Sequence, residues 1–267
     1  MERTVTLIGY GEAGRTFARA GGWAQHARAF DIKVDNPQFR DAMLADFEAD
    51  GISAEANLDD AVVGSHTILS LVTPDHALTA AKNAAKCISP SALYFDMNSV
   101  APDTKREAAQ LIESAGGHYV DVAIMAPVNP ARLSVPLLVS GQYADDGAEV
   151  LTALGFTKLR VVADDIGVAS SIKMIRSIMV KGQEALTAEM MLAAEQAGVV
   201  DEVLGSLGDG WDAKAEYNLE RMRTHGNRRA AEMEEVAKTL NALGIQPLMT
   251  NGTIQRQREM AQMELNA

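Results

Sequence analysis

An apolar run, Thr4-Val5-Thr6-Leu7-Ile8, passes directly into Gly9-Tyr10-Gly11-Glu12-Ala13-Gly14 and then into a helix-like segment. No other stretch constrains the fold as tightly. A strand that turns through G-x-G-x-x-G into a helix, with an acidic residue about 20 positions on, is the pattern of a β-α-β unit that binds a dinucleotide. The acid here is Asp31, at the end of Ala27-Arg28-Ala29-Phe30, which reads as the second strand. Gly9 permits the tight turn, Gly11 lets the backbone approach a pyrophosphate, and Gly14 lets the helix pack closely on the sheet. The helix N-terminus, opened by Glu12 and Ala13, faces the anion with free N–H groups and a partial positive charge. Asp31 is expected to accept hydrogen bonds from the adenosine ribose. That favours NAD, because the 2′-phosphate of NADP would meet a like charge; Lys33 and Arg28 nearby keep NADP as the alternative.

Strand and helix patterns alternate up to about residue 165. Asn36-Pro37 reads as an N-cap with proline at the first helical position, and Gly51 closes that helix. Residues 67–72, 93–96, 118–122, 136–140 and 159–162 are apolar strand runs, and a helix is expected from Pro102 to Ala115. The alternation predicts an α/β Rossmann-type domain, residues 1–165, with a mainly parallel sheet covered on both faces. Ligands on such a sheet bind at the carboxyl ends of the strands. The turns at Gly9, Asp31, Val72-Thr73-Pro74, Asn98 and Ser99 therefore converge on one crevice. Residues 166–267 read as all helix, a second domain for substrate and dimerisation. Between Gly167 and Gly198 there is no proline, so one helix of about 30 residues, about 45 Å long, joins the two domains. Ile172, Ile175, Met179, Leu186 and Met190 form an apolar stripe along it, suited to a spine packed against a partner subunit. The methionines of the remaining helices read as adaptable core.

The formal charge of −12 over 267 residues argues against nucleic acid or an anionic membrane as partner. No apolar run reaches the ~18 residues of a membrane span, and no basic-then-apolar leader precedes the first strand. Cys87 is the single cysteine, and the five histidines have no ligand-like spacing, so neither a disulfide nor a metal is expected. A cytoplasmic enzyme acting on a small molecule fits these features.

The best catalytic candidate is Lys173, one turn inside the long helix, with Ser177 at i+4. Hydride transfer from a C–OH group leaves a proton to be removed, and a lysine whose pKa burial lowers can take it. The plain alternative is a helix lysine that snorkels to solvent. In the second domain, Thr224-His225-Gly226-Asn227 reads as a polar stretch between helical segments. His225 could orient a substrate hydroxyl, and Arg228-Arg229 could grip a carboxylate or phosphate.

The motifs GYGEAG, VTPDHA, DMNSVAP, HYVDVAIMAPV and GVASSIKMIRS, in this order with Asp31, resemble the β-hydroxyacid dehydrogenase superfamily, which includes 3-hydroxyisobutyrate and 6-phosphogluconate dehydrogenases. KMIRSIMVKGQEAL with HGNRRAAEMEEVA resembles a branch with a distinctive C-terminal helical domain. The resemblance implies that Lys173 is the catalytic lysine, acting as general acid and base, and that Ser99 lies near nicotinamide and substrate. Ser177 stands where 3-hydroxyisobutyrate dehydrogenases carry asparagine and is expected, with Ser99, to orient the reacting oxygen; Val180 stands where the phosphogluconate relatives carry glutamate. The family's Ser-Gly-Gly substrate loop is replaced around Ile124-Met125-Ala126-Pro127, which puts the usual small hydroxyacids in doubt. The resulting expectation is an NAD(P)-dependent homodimeric dehydrogenase acting on a hydroxyacid or sugar acid. An imine reductase-like enzyme and a non-catalytic cofactor-binding or sensing protein are the alternatives.

Overall fold

The computed structural model describes residues 5–265; Thr4 and Asn266 lie outside it. The chain forms two compact units that divide after Lys173.

The first unit is built on one eight-stranded sheet. Its elements in order are β1 (Val5–Ile8), α1 (Glu12–Gly21), β2 (Ala27–Phe30), α2 (Pro37–Asp50), β3 (Ser53–Ala54), α3 (Leu58–Val62), β4 (Thr67–Ser70), α4 (Ala77–Ala84), β5 (Leu93–Asp96), α5 (Pro102–Ser114), β6 (His118–Ile124), β7 (Leu137–Ser140), α6 (Ala144–Ala153) and β8 (Leu159–Ala163). The strands lie side by side as β3-β2-β1-β4-β5-β6-β7-β8. All neighbours are parallel except β6 and β7, which pair antiparallel through Asp121 with Ser140 and Ile124 with Leu137. The connection from Met125 to Pro136 carries no crossover α-helix, only one helical turn at Arg132–Ser134, and the chain returns antiparallel. Chain order reverses between β1 and β4, so a crevice opens at their carboxyl ends.

Local chemistry sets the element ends. Asn36 caps α2 by accepting from the Gln38 amide, Pro37 follows at the first helical position, and Gly51 closes the helix. Two apolar layers cover the sheet. Leu7, Phe17, Phe47, Val120, Val139 and Phe156 belong to one; Ile8, Ile68, Ala81, Tyr94, Ile112 and Tyr119 belong to the other.

Four helices complete the chain: α7 (Val168–Ala197), α8 (Val200–Leu207), α9 (Trp211–Ala242) and α10 (Leu248–Leu265). The 30 residues of α7 match the length expected from the sequence. Methionines do fill the cores of the second unit, Met191, Met222 and Met260 in one cluster and Met174 and Met233 in another.

Two features of these helices go beyond the sequence reading, and one of them corrects it. Ile175, Met179 and Leu186 of the apolar stripe on α7 are 49%, 63% and 58% exposed within the chain. The face that α7 buries inside the second unit instead carries Ser177, Lys181, Glu184 and Thr187. Those groups are satisfied by partners: Lys181 by Glu232, Glu184 by Arg229 and Gln257, and Thr187 by Asn218. A polar face is buried here because each group on it has found a partner. The correction concerns Thr224 to Asn227, which lie in the middle of α9 rather than between helices. Position 226 is glycine because α10 crosses against it: a Cβ there would stand 2.3 Å from the Gln257 carbonyl oxygen. The glycine marks a close helix crossing and not a turn.

Candidate active site

The G-x-G-x-x-G turn is knitted to the neighbouring strand ends. The Gly9 amide donates to the Phe30 carbonyl at 2.8 Å, and the Tyr10 amide donates to Asp31 Oδ2 at 2.7 Å. Gly9 has φ +90°, and a Cβ on it would meet the Leu71 carbonyl oxygen at 2.6 Å, so no other residue fits the turn without moving that strand end. At Gly14 a Cβ would meet the Gly9 oxygen at 2.9 Å, whereas at Gly11 nothing lies within 4 Å. The space over Gly11, facing the first turn of α1, is therefore open to a ligand. No side chain caps that helix end, so its amides suit a phosphate. Glu12 is turned aside, accepting from Asn129 Nδ2 at 3.2 Å.

Asp31 is buried at the end of β2, with Oδ1 accepting from the Lys33 amide at 2.9 Å. Two backbone donors thus orient its carboxylate at the crevice, where the sequence places a ribose-binding acid. Tyr10 is fixed from its other end, its hydroxyl donating to Asp50 at 2.9 Å. Burial, then the hydrogen bond to Asp50, raises the Tyr10 phenol well above its ordinary range.

Across β4 and β5, Asn98 braces the next loop. Its Oδ1 accepts from the Val72 amide at 2.7 Å, and its Nδ2 donates to Ser70 Oγ at 3.0 Å and Asp96 Oδ1 at 2.8 Å. The carboxamide therefore holds the Val72-Thr73-Pro74 loop in position. In that loop the Thr73 hydroxyl, followed by His76, lowers the Asp75 carboxyl below its usual range.

Lys173 and Ser99 come together although 74 residues separate them. Lys173 Nζ donates to Ser99 Oγ at 2.5 Å, and both side chains are partly exposed. A proton-transferring amine beside a hydroxyl, at the carboxyl end of β5, is an arrangement that can hold a substrate oxygen and move its proton. Met125 packs beside Ile172 in a small apolar cluster with Ala123, Leu138, Ala169 and Val162, so the altered loop borders the start of α7. Ile124 is the last residue of β6. The Met125 amide donates to the Pro136 carbonyl at 2.9 Å, and Pro127 and Pro130 have no N–H, so these three positions offer no amide to an anion.

The remaining sequence candidates belong to the second unit. Ser177 is buried on α7, and its hydroxyl accepts from Lys181 Nζ at 3.3 Å. Arg228 is 3.7 Å from Glu232 along α9, and His225 lies partly buried on the same helix. Arg229 is buried and paired with Glu184, which withdraws it from any ligand.

Sequence reading missed the wholly buried group beneath Ser99 and Lys173. Lys105 Nζ lies 2.9 Å from Asp96 Oδ1 and 3.3 Å from Asp121 Oδ1. The signal was Lys105 itself, on the buried stripe of α5 with Pro102, Ala108, Ala109 and Ile112.

Residues 4–158 match the family of the NAD binding domain of 6-phosphogluconate dehydrogenase, and residues 194–260 match a domain of unknown function, DUF1932. A conserved hypothetical protein from Sinorhizobium meliloti 1021 is 37% identical over 97% of this chain and 88% of its own, with a TM-score of 0.75. The conserved protein MTH1747, of unknown function and structurally similar to 3-hydroxyacid dehydrogenases, is 29% identical over 98% of both chains, with a TM-score of 0.72. The 3-hydroxyisobutyrate dehydrogenase of Mycobacterium tuberculosis shares the fold, with a TM-score of 0.75 at 17% identity over 98% of this chain and 94% of its own.

Proposed function

This chain belongs to the family of the NAD binding domain of 6-phosphogluconate dehydrogenase, and we propose that it is an NAD-dependent dehydrogenase that oxidises or forms a C–OH group on a small polar acid. The coarser reading, an NAD(P)-dependent oxidoreductase, is what the family supports. When bound, the nicotinamide accepts or supplies the hydride. The open space at Gly11 and the uncapped N-terminus of α1 fit its pyrophosphate. Asp31 would take the adenosine ribose, while Val72, Thr73 and Pro74 line the cofactor crevice with Asn98 holding their loop.

The observation that carries the proposal is the 2.5 Å contact between Lys173 Nζ and Ser99 Oγ. Ser99 would orient the reacting oxygen. Lys173 would take its proton during oxidation and return it during reduction. The substrate would lie beside the Ile124-Met125 loop. Because Met125, Pro127 and Pro130 offer no free amide, side chains would hold the acid group, with Arg228 the candidate for that task. Ser177 would help Ser99 orient the reacting oxygen, and His225 would orient a substrate hydroxyl. The active form would be a homodimer, with the exposed stripe of Ile175, Met179 and Leu186 covered by a second copy.

The test is a panel of hydroxyacids and sugar acids followed by NADH or NADPH absorbance, repeated with Lys173→Ala. Turnover of at least one acid with NAD, reduced roughly 100-fold or more in the variant, is the expected result. Full activity in Lys173→Ala would remove the lysine from the chemistry. Preference for NADPH would overturn the role of Asp31, and tight NADH binding without turnover on any acid would favour a sensing protein.

A further inference from the structure

We infer that Lys105 is a positioning residue that sets the approach of Lys173 to Ser99, an inference that rests on the dehydrogenase reading for its catalytic meaning. Lys105, Asp96 and Asp121 are 0%, 1% and 0% exposed. One lysine amine therefore sits between two aspartate side chains with no solvent. Such a group is a poor way to stabilise a core, since well-packed apolar residues do as well or better. What it does here is join two anchors.

One anchor is Asp96. Its Oδ1 accepts from the Asn98 amide at 3.0 Å and the Asn98 carboxamide at 2.8 Å, which fixes the turn that presents Ser99. Lys105 Nζ binds the same carboxylate and also the Asp96 carbonyl oxygen at 2.6 Å. The other anchor is Asp121. Its Oδ2 accepts from the Gly167 amide at 3.1 Å and from the Ser170 amide at 3.2 Å, so it caps the start of α7. Lys173 follows Ser170 by three residues, on the same side of the helix. Asp121 Oδ1 has no hydrogen-bonded partner among the described residues, and the Lys105 amine faces it at 3.3 Å. Without Lys105 the Ser99 turn and the α7 cap lose a group that touches both.

The inference is tested with Asp121→Asn, which preserves shape, and with Lys105→Gln, using two readouts. In protein whose surface lysines carry 13C-methyl groups, the Lys173 resonance, identified by its loss in Lys173→Arg, reports the amine's surroundings without any substrate. It is expected to shift and broaden in each variant that folds. NADH affinity of Asp121→Asn, measured by fluorescence, is expected to stay within about twofold, as for sites that share no partner. In turnover, kcat is expected to fall roughly 10- to 100-fold, the scale of a misplacement on the order of 1 Å. An unchanged Lys173 resonance, or a lower melting temperature with kcat per folded molecule intact, overturns the inference. A displaced resonance in a protein that oxidises no acid upholds the positioning role while the dehydrogenase reading falls.

Discussion

Asp50 links the cofactor turn to the body of the first unit. Its carboxylate, with no exposed side-chain surface, receives Arg15 at 3.0 Å and pairs with Arg19. Burial pushes this carboxyl upward, but the hydrogen bonds from Arg15, Arg19 and Tyr10 outweigh it and hold it below the usual carboxylate range. A carboxyl depressed in the folded state stabilises the fold above its ordinary value near ~4, and the contribution is lost as the pH falls through the lower folded value. Asp50→Asn should therefore cost about 1–3 kcal/mol at pH 7, with the half-exposed Arg19 contributing least. Urea unfolding at pH 7 and at about pH 3 checks this: the gap between wild type and variant should narrow in acid, and a constant gap would refute it. Single residues also differ in how legible they are. Gly9, Asp31 and Lys173 stand in local patterns that carry their chemistry. Lys105 and Asp121 look like an ordinary helix lysine and an ordinary strand aspartate until the strands are laid side by side.

Among the elements, α9 and α10 carry a clear geometric demand. A Cβ at position 226 would stand 2.3 Å from the Gln257 carbonyl oxygen and 2.9 Å from the Ala261 Cβ. Gly226→Ala must push the helices apart, although alanine is the better helix former in isolation. The expected result is a loss of about 1–3 kcal/mol, read as a lower melting temperature with helix content retained. A rise in melting temperature would mean that the helices have room. Periodicity made α7 legible as a helix, and the glycines at 167 and 198 bounded it, because both signals act within a few residues. Which of its faces is buried was not legible. Ser177, Lys181, Glu184 and Thr187 become an inner face only through Glu232, Arg229, Gln257 and Asn218 on other helices.

For the whole molecule, the consequence is an apolar stripe left open within the single chain. Ile175, Met179 and Leu186 on α7, and Leu248 and Met249 on α10, are all exposed, and α10 pairs with α7 through Gln257 and Glu184. This is the surface that the proposed second copy would cover. Met179→Glu should shift a dimer toward monomer in light scattering at micromolar concentration, because association would bury an unpaired charge. An unchanged mass would place the interface elsewhere. Among the described residues no helix is long and apolar enough to cross a membrane.

The sequence by itself determined the dinucleotide turn, the alternation that makes a parallel sheet, the length of α7 and the family to which these belong. Those features depend on glycine geometry, capping and periodicity, whose forces act between near neighbours in the chain. Only the tertiary structure decided that Lys173 reaches Ser99, that Lys105 ties their two supports together, and that residues 224–227 continue a helix. Each of those outcomes depends on groups brought together from distant parts of the chain, where one residue's burial is set by its partner's charge or shape.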